Sequence, residues 1–160
     1  MAARVLEPEE RLQHAVGLGY AYLAKRDRTV REVERHLEAK GIDDHTAAAA
    51  VAELLEQRYL DDDRYARLFA QDRRNLDGWG TERIERRLRE FGVPADVVAR
   101  VLRENDDHDE LTAAVAVLEQ RLGAPPADER ERTKALGLLV RRGYELEVAY
   151  DAVRAFERTV

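Results

Sequence analysis

The sequence predicts an all-α protein: three tandem three-helix repeats of about 51 residues each, forming an elongated curved array. Three observations predict it. Ala, Leu, Glu and Arg dominate the 160 residues, with only 9 Gly, 4 Pro and 6% aromatics, a helix-forming composition. No segment alternates apolar and polar residues with period two, so no sheet is expected. A Leu-x-x-x-Gly pattern recurs as Leu37…Gly41, Leu88…Gly92 and Leu139…Gly143, at a constant spacing of 51 residues. The flanks of the pattern agree: Val33, Ile84 and Ala135 precede it by one turn, and Ile42, Val93 and Tyr144 follow it. The expected units are 8–60, 61–105 and 107–158.

In the first unit, Leu12, Ala15, Val16, Gly19, Tyr22 and Leu23 recur at helical spacing. After a polar break, Thr29 and Glu32 form a Thr-x-x-Glu capping box that opens a second helix, with Val30, Val33 and Leu37 facing the core. Gly41 stops that helix in the left-handed conformation. Asp43 or Asp44 caps the third helix, with Val51, Leu54 and Leu55 turned inward, and Tyr59 and Leu60 close the unit. The second unit starts at Asp61-Asp62-Asp63, carries Tyr65, Ala66, Phe69 and Leu76, and breaks at Asp77-Gly78-Trp79-Gly80. Gly80 or Thr81 caps its middle helix, which bears Ile84 and Leu88 and stops at Gly92. Pro94 opens the next helix, where a missing N–H costs little. The third unit has Leu111, Ala114, Val115, Leu118 and Leu122 in its first helix and Asp128 with Glu131 at the start of its second. Its last helix carries Leu146, Ala149, Tyr150, Val153 and Phe156.

Much chemistry is excluded. The chain has no Cys and no Ser, which removes disulfides, Cys-ligated metals and thiol or Ser nucleophiles. None of His14, His36, His45 and His108 stands in a ligand spacing, and no metal or other cofactor is expected. Asp61-Asp62-Asp63 lacks the EF-hand pattern and reads as helix capping. Gly78-Trp79-Gly80 lacks the Lys-Thr/Ser of a phosphate loop. It is either a turn with Trp79 as a packing anchor or a binding turn with Trp79 exposed. No apolar run is long enough to span a membrane, and no leader is visible in residues 1–15, so a soluble cytoplasmic protein, expected to be monomeric, is predicted.

Charge is unevenly placed. The formal net charge is −6, yet residues 64–103 hold 10 basic and 6 acidic residues between two acidic flanks. Such a segment suits phosphates or an acidic protein surface. The competing interpretation is a solvated helix face with i,i+4 pairs such as Glu82–Arg86 and Glu85–Arg89.

Tyr59-Leu60-Asp61-Asp62 followed by Arg64-Tyr65-Ala66 resembles a signature of the RecX family. Arg73, Gly78-Trp79-Gly80, Arg83-Ile84, Leu88 and Gly92-Val93 resemble its continuation. Tyr22-Leu23-Ala24, Arg26, Thr29, Glu32, Leu37 and Gly41-Ile42 match the pattern in the first unit, and Leu139, Arg141, Gly143-Tyr144 and Ala152-Val153 match it in the third. The chain departs from it in an Ala-rich third helix and a Pro-rich, acidic stretch at 124–128. The resemblance implies a non-enzymatic regulator that binds RecA, or the RecA filament on single-stranded DNA, and modulates its recombinase and coprotease activities, usually by inhibition. Charge placement and the family signature together nominate Arg64, Arg67, Arg73, Arg74, Trp79, Arg83, Arg86 and Arg87 as partner-binding residues. Two other functions fit the residues. One is a helix-turn-helix-like DNA-binding module making weak DNA contacts, although the helix after Gly92 offers only Asp96, Arg100 and Arg103 to the bases. The other is a generic helical adaptor.

Overall fold

A computed structural model describes residues 4–104 and 108–159. The described residues contain helices and turns, with no strand, in the order α1 (Pro8–Leu23), α2 (Val30–Ala39), α3 (Asp44–Glu56), α4 (Asp62–Asp77), α5 (Thr81–Glu90), α6 (Ala95–Arg103), α7 (Glu110–Leu122), α8 (Glu129–Arg141) and α9 (Leu146–Glu157). The boundary expected at 105–107 lies outside the described residues.

Local chemistry sets most helix ends. Thr29 accepts a bond from the Glu32 N–H while Glu32 accepts from the Thr29 N–H, so the capping box is complete. Asp43, Asp61 and Asp128 cap α3, α4 and α8 through their carboxylates. At α8, Glu131 reaches back to the Ala127 N–H, one residue earlier than a capping box would have it. Pro94 is the N-cap of α6 and not a residue of its first turn. Asp77 ends α4, so the break begins at Gly78.

Each group of three helices has its own core. The first is built on Ala15, Val33, Leu37, Val51 and Leu54, the second on Ala66, Ile84, Leu88, Val98 and Val101, the third on Ala114, Leu118, Leu139, Val153 and Phe156. Within a unit the first and third helices make the most extensive contact, and the middle helix packs against both. A fully buried Leu such as Leu37 contributes roughly 1.5–3 kcal/mol, so the cores account for much of each unit's stability. The accessible surface is 10434 Å². A compact protein of this mass exposes about 8,100 Å². The excess of over a quarter is what three small cores in a row produce.

Several residues expected inside lie outside. Leu76 is 73% exposed because α4 is nearly twice as long as α6, its packing partner, and runs past it after Ala70. Leu55 is 42% exposed, since the partners of α3 lie on the Leu54 side. Leu111 and Leu122, at the two ends of α7, and Leu146 and Tyr150 on α9 are also solvent-facing.

Candidate partner-binding surface and the unit junctions

The units meet through two junctions of the same design. At each, the carboxyl end of one middle helix abuts the amino end of the preceding unit's middle helix. Thr29, the N-cap of α2, donates its hydroxyl to the carbonyl of Phe91, the C-cap of α5, at 2.6 Å. In the next junction the N-cap of α5, Gly80, donates its backbone N–H to the carbonyl of Arg142, the C-cap of α8, at 2.8 Å, and the Glu82 N–H reaches Gly143 at 3.0 Å. Amino-terminal N–H groups lack partners within their own helix, and the neighbouring unit supplies them. The helix dipoles also align head to tail.

A carboxylate from the next unit's first helix completes each junction. The Val30 N–H donates to Asp62 at 3.0 Å, and the Thr81 N–H and hydroxyl donate to Glu110 at 3.3 and 2.6 Å. Both Asp62 and Glu110 are the first residue of their own helix, so each lies near two positive helix ends. Burial, with Asp63, Asp61 and Glu34 nearby, pushes the Asp62 carboxyl above its ordinary range, against the Val30 hydrogen bond. Two glycines permit the approach. Gly92 and Gly143 sit at φ 88° and 97°, and a Cβ on either would collide with Arg31 or Arg83 respectively.

The eight nominated residues are split by this architecture. Arg86 is exposed on α5, and Arg87 is exposed there with Glu90 at 3.2 Å. Arg67 is exposed on α4 and pairs with Glu104 at 3.0 Å; Arg64 donates to the carbonyl of Arg58. The other four gather around the second junction. Arg73 pairs with Asp77 at 2.5 Å and lies 5.8 Å from the rings of Phe69 and Trp79. Arg83 stacks 4.0 Å above Trp79 and donates to the carbonyl of Arg141. Arg74 is half-buried beside Thr81, and burial lowers its basicity despite Glu110. Trp79 packs edge-on against Phe69 and stays partly exposed. Neither Glu82–Arg86 nor Glu85–Arg89 closes as an ion pair among the described residues; the α5 pair is Arg87–Glu90.

Sequence reasoning missed the far side of this junction. Arg142 donates to the Asp77 carbonyl at the end of α4, and the Tyr144 hydroxyl donates to the Gly78 carbonyl at 3.0 Å. Burial, with Glu110 nearby, pushes the Tyr144 phenol up to about 12. The 51-residue register, which aligns Arg142 with Phe91 and Gly143 with Gly92, was the available signal. Among the described residues no three His, Asp or Glu side chains gather as a metal site, and no helix is long and apolar enough to cross a membrane.

These features define a tandem three-helix repeat protein whose working parts are surfaces and junctions. Residues 15–54 match the family model described as "RecX, first three-helix domain", and residues 61–102 match "RecX, second three-helix domain". The chain is 40% identical over 131 residues to the regulatory protein RecX of Trichlorobacter lovleyi, covering 79% of this chain and 84% of that one. It is 34% identical over 144 residues to the regulatory protein RecX of Stenotrophomonas maltophilia strain K279a, covering 89% and 85%. The chain belongs to the RecX family. Its fold is that of the crystal structure of RecX from Lactobacillus salivarius, with a TM-score of 0.81 at 17% identity over 95% of this chain and 99% of that one.

Proposed function

We propose that this protein binds RecA, most directly the RecA filament on single-stranded DNA, and restrains its recombinase and coprotease activities without chemistry of its own. Membership of a family of regulatory proteins carries the reading. The structure is compatible with it: three units joined end to end make a long body that can touch more than one protomer of a polymer, so weak contacts add through effective concentration. In this reading the protein acts as a cytoplasmic monomer. Arg64, Arg67, Arg86 and Arg87 touch the partner, while Arg73, Arg74, Trp79 and Arg83 hold the second junction in the shape that presents them. Direct contact with the DNA of the filament is a secondary contribution.

The test is RecA ATPase on single-stranded DNA, titrated with the protein. Inhibition is expected, with a several-fold higher concentration required of the Arg86→Glu/Arg87→Glu variant at unchanged helicity. An ATPase indifferent to the wild-type protein at saturating concentration refutes the reading. Equal potency of the double variant removes these two arginines from the interface.

A further inference from the structure

Three arginines from three elements line one cleft at the second junction: Arg74 of α4, Arg121 in the last turn of α7 and Arg142 at the end of α8. Asn75, Gln120, Tyr144 and the acidic Asp77 complete the polar part of its wall, and its volume is about 260 Å³. Arg74, Arg121 and Arg142 form no ion pair with a carboxylate among the described residues. The carboxylates closest to hand are engaged: Asp77 takes Arg73, and Glu110 takes Thr81 and His108. The Nε of Arg74 is buried without a hydrogen-bond partner. Arg142 spends one N–H on the Asp77 carbonyl. Burial, then Arg121 and Arg83, lower its basicity, and the nearby Tyr144 and Asp77 offset only part of that.

We propose that this cleft binds a phosphate group of a nucleic-acid strand. Three guanidinium forks offer more N–H donors than the two oxygens of one carboxylate can accept, whereas phosphate oxygens match them in number and geometry. Trp79 lies outside the cleft lining but follows Gly78 of its wall in the chain; partly exposed and stacked with Arg83, it is an aromatic of the kind on which a neighbouring base stacks. The site rests on the direct DNA contact of the function proposed above and gives it residues, Arg121 and Arg142, outside the basic middle third; a titration without RecA separates its failure from failure of the regulatory reading.

Anisotropy of a fluorescent oligothymidylate, titrated with the protein alone at several salt concentrations, tests it. Arg121 is exposed, and Arg121→Glu leaves the core untouched. That variant is expected to weaken binding about tenfold and to lower the salt slope by about one, as for a lost phosphate contact. Arg121→Gln, which adds no negative charge, gives a smaller loss in the same direction. Lys134→Glu, an equal charge change on α8 outside the cleft, stays within about twofold of wild type. Inorganic phosphate and ATP serve as competitors, and each displaces the oligonucleotide from the wild-type protein less effectively than unlabelled strand does. No binding by the wild type, unchanged affinity in both Arg121 variants, or equal losses in Arg121→Glu and Lys134→Glu each overturn the proposal. Displacement by ATP or phosphate at lower concentration than by strand overturns the strand as occupant.

Discussion

The hydroxyl of Thr29 reaches across 62 residues of sequence to the carbonyl of Phe91, at 2.6 Å. Thr29 is fully buried, and the same oxygen accepts the Glu32 N–H of its own helix. One side chain therefore begins α2 and also ties the first unit to the second. Replacing it with the isosteric Val removes both bonds and leaves the Phe91 carbonyl without this donor. A loss of about 2 kcal/mol is expected, read from the denaturant midpoint at unchanged slope.

Gly41, Gly92 and Gly143 occupy the same place in the repeat but do different work. All three have positive φ, yet only Gly92 and Gly143 lie against a neighbouring unit; a Cβ on Gly41 meets open space. Gly41→Ala should cost about 1 kcal/mol, the backbone penalty alone. Gly143→Ala should cost about 3 kcal/mol, because the added methyl also drives Arg83 away. Thermal unfolding of the two variants side by side checks the difference, and equal losses would mean that the second junction contributes little.

Asp62 makes the first junction sensitive to acid in an unusual direction. Its carboxyl titrates above the ordinary aspartate range when folded, chiefly through burial. Between the unfolded and folded values the native state holds more protons, so this group's contribution to stability falls as pH rises through that window. Asp62→Asn keeps an acceptor for Val30 and removes the buried charge. The variant is expected to match or exceed wild-type stability at neutral pH and to lose that advantage as pH drops through the raised value. Urea titrations at a series of pH values decide it.

Separate cores predict separate responses. Leu37→Ala and Leu139→Ala each empty a fully buried site and should cost about 3 kcal/mol. Their cores share no residue, so a double-mutant cycle should show coupling below about 0.5 kcal/mol. Hydrogen exchange should quicken in α7–α9 for Leu139→Ala and in α1–α3 for Leu37→Ala. Uniform quickening in both variants would show one cooperative core instead.

Much of the fold was legible because it is local. A capping box spans four residues and a glycine stop needs only its own φ, so Thr29–Glu32 and Gly41, Gly92 and Gly143 were found from the chain alone. The choice between Gly80 and Thr81 was not. Gly80 is the N-cap because the Thr81 hydroxyl is turned to Glu110, 29 residues away. The candidate surface was legible by charge but not by exposure. Spacing put Arg74 and Arg83 with Arg86 and Arg87, and the second junction drew the first two in.

The sequence by itself determined the helices, their stops and the threefold repeat, since each depends on residues within a turn or two of one another. Only the tertiary structure decided how one unit finishes the next, and with it which arginines meet solvent. That outcome rests on carbonyls and carboxylates supplied from residues 29 to 66 positions away. Such partners are chosen by the geometry of docking: the 51-residue register marks equivalent positions in the chain but not which of them touch.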